Sequence, residues 1–186
     1  MLVTLTHLIP SLRASVPNPL GRDLWPEFTT TSVSDVVVAG VSLTRLAAWC
    51  GTPCVHTAAA VVPGTGGMPS PSELASVVVA RVVSVAAGPD GTLDVWIDAR
   101  LSDAAAHVAE LRMIGRISTA CDAPARIHQA GAAVAPLRIE ELASDLRAGD
   151  LLAVPCSGAV VLRQVDPGRR GALDASDPWA PTVCGR

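Results

Sequence analysis

Residues 74–99, LASVVVARVVSVAAGPDGTLDVWIDA, decide the fold class. Leu74 to Ala87 is dense in β-branched side chains, whose restricted χ1 suits a pleated surface better than a helix. Leu93 to Ala99 alternates apolar and polar residues with the period of two that marks a strand. Between them, Gly88-Pro89-Asp90-Gly91-Thr92 carries the Asp-Gly pair of a tight hairpin. The spacing predicts two antiparallel strands.

Working outward, Val36 to Ala39 reads as a strand ended by Gly40. Leu43, Leu46, Ala47 and Cys50 share one helical face, with Ser42 as N-cap and Gly51 as C-cap. Pro53 to Thr57 is a short extended piece. Leu111 to Thr119 is a further strand, and Ile139 to Leu146 a short helical turn. Leu151 to Val154 and Ala159 to Val165 read as strands separated by Pro155-Cys156-Ser157-Gly158. Short strands with turn signals between them predict a mainly β fold, a barrel or sandwich with one or two short helices. Residues 1–165 form one domain. Residues 1–32 are an arm broken by Pro10, Pro17, Pro19 and Pro26, with Trp25 and Phe28 as anchors. Residues 62–72 read as a flexible connector. Residues 166–186 read as a loose tail with Trp179 as anchor.

Composition narrows the function. Hydrophobic residues make up 49% of the 186 and the mean hydropathy is +0.41, so the chain has the means to bury a core. Charged residues make up only 17%, which points to apolar surface hidden in an oligomer or complex. Net charge is -3 and no basic run exists, so nucleic acid is not an expected partner. No apolar run reaches the roughly 18–20 residues of a membrane span. The N-terminus lacks a basic segment and a cleavage site, so a cytoplasmic location is expected. The five cysteines read as free thiols in a reducing compartment. Cys50-Gly-Thr-Pro-Cys54 reads as two core thiols, and no spacing in the chain predicts a metal site.

Three segments together resemble the diaminopimelate decarboxylases, enzymes built from an alanine-racemase-like barrel carrying pyridoxal phosphate (PLP) and a β-domain. Leu24-Trp-Pro with Val38 to Cys54 is similar to the family's entry into the barrel. Val78 to Asp103, ending Trp96-Ile-Asp-Ala-Arg-Leu-Ser-Asp103, is similar to the strand pair leading into Gly-Gly-Met-Ser-Asp. Ile114 to Asp122 with Arg147 to Ala159 resembles the catalytic-cysteine strand and the Gly-Asp-Leu-Leu-Ala-Val-Pro signature. The resemblance covers most of residues 24–163 and lacks the barrel, for which the 62–72 connector stands in. It implies a stand-alone β-domain. The chain contains no lysine, and an imine to PLP needs a primary amine that arginine does not supply. No cofactor is expected.

The resemblance singles out Cys121, which in the family donates a proton across a dimer interface; the alternative is a buried strand thiol. Asp98 and Asp103 lie on the segment that faces the family's active site, where Glu110 or Arg100 would complete an acid–base set. As structural residues they are a strand-end carboxylate and a cap. His107 and His128 are general-base candidates near neutral pH or satisfied polar residues. Trp96 is a core residue or a stacking wall, and Arg116 lies on the wet face of a strand or beside Cys121.

Two functions follow as expectations. The first is a PLP-independent small enzyme of the cyclase, isomerase or lyase type. Its small-molecule substrate would sit in the barrel interior or mouth, with Cys121, Asp98, Asp103 and His107 as catalytic residues and Arg100, Trp96 and Arg116 as binding residues. The second is a non-catalytic accessory subunit that docks on a PLP-barrel protein and supplies Cys121 in trans. A homodimer is expected if no such partner exists.

Overall fold

A computed structural model describes residues 9–88, 90–130, 135–166 and 168. Among the described residues, ten strands and two short α-helices build a mainly β fold. A three-stranded sheet is formed by β1 (Thr30–Thr31), β2 (Val36–Val38) and β3 (Val41–Ser42). Helix α1 (Leu43–Cys50) follows, then β4 (Cys54–Val61), β5 (Pro69–Ala87), β6 (Leu93–Ile97), β7 (Arg112–Ile114), β8 (Asp122–His128), β9 (Leu137–Ala143), β10 (Leu151–Ser157) and α2 (Leu162–Val165). The larger sheet has the order β7-β10-β5-β6-β8-β9, with β4 also on β5, and it curls into a nearly closed barrel. All its pairs are antiparallel except β6 with β8.

Strand β5 organises the molecule. Its first half lies between β4 and β10, and its second half pairs with β6. The switch falls at Val83, an extra residue where the register slips between Val82 and Ser84, and a bulge of this kind bends a strand. Val78, Ala80 and Val82 point into the barrel, while Val77 and Val79 point the other way, under a second core of Trp25, Val36, Val38, Leu43, Ala47 and Ile114. Burial on both faces explains why residues 77–80 are continuously apolar rather than alternating. The predicted hairpin is present: Ala87 faces Leu93, Gly88 N–H donates to Thr92 O at 2.7 Å, and Gly91 takes φ 78.

The N-terminal layer is pinned by Glu110. Its Oε2 accepts from Gly21 N–H at 3.1 Å and from Trp25 Nε1–H at 3.2 Å. Trp25 is 1% exposed, as an anchor should be, whereas Phe28 is exposed. Helix α1 has its expected caps: Ser42 Oγ accepts from Arg45 N–H, and Gly51 N–H donates to Ala47 O.

Five expected elements differ. The connector is a hairpin loop closed by Val62 N–H to Met68 O at 2.8 Å, and its last residues already belong to β5. Residues 137–143 are a strand because they complete a ladder with β8, a non-local partner that local pattern does not reveal. The 111–119 strand stops at Ile114, where Gly115 takes φ 90. Strand β10 runs through Pro155-Cys156-Ser157, and residues 162–165 form the helical turn α2 rather than a strand. Most of the 166–186 tail, with Trp179 and Cys184, lies outside the described residues, as does the start of the arm. No helix among the described residues is long and apolar enough to cross a membrane.

Candidate functional site

The segment after β6 forms a strap along the end of β10. Leu101 and Ala104 are its buried apolar feet. Arg100 N–H donates to Val165 O at 2.8 Å, and Ala106 bridges Cys156. His107 N–H donates to Pro155 O at 2.8 Å, and Ser157 N–H donates to Ala105 O at 3.2 Å. These bonds set the His107 imidazole beside the last residue of β10. His107 Nε2 lies 2.7 Å from Ser157 Oγ. Ser157 is exposed, and no carboxylate among the described residues reaches His107 Nδ1.

The turn after Ser157 is fixed from below. Gly158 takes φ 77, a conformation glycine adopts without strain. Ser76 Oγ donates to Gly158 O and accepts from Val160 N–H, both at 2.9 Å. The N–H of Ala159 finds no acceptor among the described residues, while that of Gly158 follows the Ser157–Ala75 pair at the end of the β10–β5 ladder. A hydroxyl and an imidazole at hydrogen-bonding distance therefore meet at one exposed strand end, beside the Ala159 amide. Hydroxyl and imidazole are two of the parts that an acyl-transfer nucleophile uses. Arg100 and Asp103 share the strap: Arg100 Nη2 lies 3.5 Å from Asp103 Oδ2, and Arg100 Nε–H donates to Ser102 Oγ at 3.0 Å.

The other expected site residues do not join this group. The barrel interior is packed with Val78, Ala80, Val82, Val95, Ile97, Ala125, Ile127, Leu152 and Val154, so none of them lines it. Asp98 clasps the β5 bend, accepting from Arg81 N–H at 2.7 Å and from Thr52 Oγ–H at 2.6 Å. Glu110, a possible partner for the aspartates, faces the N-terminal arm instead. Arg116 is turned inward. It holds Asp150 through two bonds of 2.7 Å and Asp145 through a carboxylate bond and a backbone bond of 2.9 Å each. Hydrogen bonding to Asp150 raises the Arg116 guanidinium above its ordinary pKa, so it is firmly charged and fully engaged.

Cys121 is not a buried strand thiol. It is exposed, just ahead of β8, and its carbonyl accepts from Ser144 N–H at 2.9 Å. Its loop is held by Ser118, whose Oγ–H donates to Asp145 at 2.6 Å and whose Oγ accepts from Ala120 N–H at 3.1 Å. Cys121 and His128 flank β8 at opposite ends, about 20 Å apart for an extended run of this length. Cys50 is exposed while Cys54 is buried, so only one of the two is a core thiol. Burial, with smaller contributions from Cys50 and Asp98, pushes the Cys54 thiol up to about 11; burial pushes Cys156 up to about 12. Neither is a thiolate near neutral pH. Among the described residues no three His, Cys, Asp or Glu side chains gather into a metal-binding group.

Trp96 lies on the outer face of the barrel, stacked on His128 with ring centroids 4.5 Å apart. His128 Nε2 is 2.8 Å from Asp94 Oδ1, and Arg126 bridges Asp94 and Asp90.

A scan against models of known protein families finds none that matches the chain, and a search of curated proteins finds no significant match. Ser157 escaped the sequence reading because fifty residues separate it from His107. Its one local signal is a serine followed by glycine at the end of an apolar run, a pattern that equally marks an ordinary turn.

Proposed function

We propose that this chain is a small enzyme that needs no cofactor, built on a stand-alone β-domain of the decarboxylase type, and that it catalyses acyl transfer or ester hydrolysis at Ser157. The observation that carries this reading is the 2.7 Å contact between His107 Nε2 and the exposed Ser157 Oγ. Ser157 Oγ attacks the acyl carbon of a small-molecule substrate while its proton passes to His107 Nε2. The resulting oxyanion is met by the N–H of Ala159. Collapse expels the leaving group, which takes the proton from the imidazolium. Water, deprotonated by the same imidazole, then cleaves the acyl-serine and restores the hydroxyl.

Among the described residues no carboxylate fixes the His107 tautomer. In a complete triad, spoiling that third member lowers kcat about 10⁴-fold. Turnover is therefore expected to be slow, and covalent trapping is the sensitive test. A fluorophosphonate probe is expected to label Ser157, as mapped by peptide mass spectrometry, and labelling is expected to vanish in Ser157→Ala and His107→Ala. An unlabelled wild-type serine would dismiss the reading.

A second reading is favoured by a different observation, the exposure of Cys121 on a loop already held by Arg116, Ser118 and Asp145. A preorganised exposed thiol suits an accessory subunit that presents Cys121 to the active site of a PLP-barrel protein. Disulfide trapping of Cys121 against such a partner tests it; a free homodimer that captures none speaks against it.

A further inference from the structure

The spacing of β-strands nearly equals the spacing of stacked rings, and on the outer face of this barrel the coincidence leaves a gap. Neighbouring strands lie about 4.8 Å apart. Trp96 and His128 are partners in the β6–β8 register and stack with centroids 4.5 Å apart and planes 13° from parallel. The two ring planes therefore stand across the line that runs from strand to strand. His128 covers one face of Trp96, and the other face turns toward β5. The β5 residue opposite Trp96 is Ser84, whose exposed side chain is too short to cover an indole. Val83, the bulged residue beside it, is 58% exposed, and Trp96 itself is 39% exposed. Above Ser84 this leaves an open lane beside the indole face.

Charge beside the lane leans negative: two carboxylates, Asp90 and Asp94, share the Arg126 guanidinium. Asp94 faces outward two residues before Trp96 and pairs with Ala86 of β5. Its Oδ1 is taken by His128 at 2.8 Å and by Arg126 at 3.4 Å, both on the β8 side. Its Oδ2 turns toward the hairpin, 3.3 Å from where a Cβ on Gly88 would stand, and Arg126 reaches it only at 3.5 Å. The lane is therefore bordered by an indole face and by a group that carries one more carboxylate than guanidinium. Both attract a cation.

We infer that this lane is a binding site for a planar aromatic cation, a protonated or quaternised heteroaromatic ring that stacks on Trp96 above Ser84 with its positive end toward Asp94. The site is independent of the acyl chemistry at Ser157.

The test is a titration of the full chain, labelled with ¹⁵N, with the N-methylquinolinium cation. A saturable shift of the Trp96 indole N–H is expected, with a midpoint of about 1 mM or below. Naphthalene-1-sulfonate, of similar size and opposite charge, is expected to bind at least about tenfold more weakly. Ser84→Phe fills the lane with a protein ring and is expected to weaken cation binding at least about tenfold. Trp96→Thr, a good strand residue at an exposed position, is expected to do the same, read from the backbone amide shifts of Val95 and Ile97, if the phenylalanine disturbs the bulge. The inference is overturned if the Trp96 resonance does not move, if the sulfonate binds as well as the cation, or if both variants keep the wild-type affinity.

Discussion

Arg116 and His107 both read from the sequence as site residues, and the structure treats them in opposite ways. Arg116 directs its donors at Asp150, at the Asp145 carboxylate and at two backbone carbonyls. His107 makes one side-chain bond among the described residues, to Ser157, at an exposed strand end beside the Ala159 amide. The first cluster uses its polar capacity to close the barrel between the loops after β7 and β9. The second keeps its capacity facing outward. A residue type with the right chemistry becomes a site residue only where the fold leaves that chemistry unused.

The sharpest way to break this comparison is Arg116→Met. Asp150 is 7% exposed at its side chain, and removing Arg116 leaves this buried carboxylate only the Arg147 N–H at 3.0 Å and the Arg147 side chain at 4.0 Å. A loss of about 3–5 kcal/mol is expected, read from the denaturant midpoint at pH 7. A loss below about 1 kcal/mol would mean that Arg116 is not the closure it is taken for. Trp25→Ala is expected to cost a similar 3–5 kcal/mol or so, because it empties the core under the N-terminal layer and releases the Glu110 contact.

Acid sharpens the same contrast with a smaller effect. Burial pushes the Asp145 carboxyl upward, but hydrogen bonds from Arg116 and Ser118 outweigh it and hold the group below its ordinary value. A carboxylate with a lowered folded pKa contributes stability that is present above its unfolded value of about 3.9. That contribution is lost as pH falls through the folded value. Stability measured by urea denaturation is therefore expected to decline below about pH 4, and Ser118→Ala is expected to soften the decline. An unchanged pH profile in Ser118→Ala would remove that hydroxyl from the account.

Legibility in the sequence followed the same division. The β5–β6 hairpin, helix α1 and its caps were readable because their signals are local: β-branched density, Asp90-Gly91, and Ser42 and Gly51 at helical spacing. Strand β9 was missed because its ladder partner β8 fixes it and its own residues do not. Of the site residues, His107, Asp103 and Arg100 were placed on one segment because they are near neighbours in the chain. Ser157, Asp150 and Asp145 carry the decisive contacts to His107 and Arg116, and chain pairing alone brings them there. Trp96 could be read as a stacking wall, but its partner His128 is defined by a parallel register that no short window contains.

Ser157→Ala has the smallest expected effect on stability and the most consequence for function. Its hydroxyl makes one hydrogen bond, to an imidazole on an exposed strand end, and the backbone of β10 is held by Val77, Ser76 and Ala75 regardless. The change is expected to move the unfolding free energy by no more than about 0.5 kcal/mol. Against Arg116→Met it should separate the two clusters cleanly: one variant loses the fold and one loses only the reactivity. His107→Gln adds the decisive arm. Glutamine can keep a hydrogen bond to Ser157 but cannot take its proton, so a merely structural contact predicts labelling close to wild type, whereas a base predicts loss of at least about a hundredfold in labelling rate. If His107→Gln labels like wild type, the imidazole only positions the strap, and Ser157 is an ordinary surface hydroxyl.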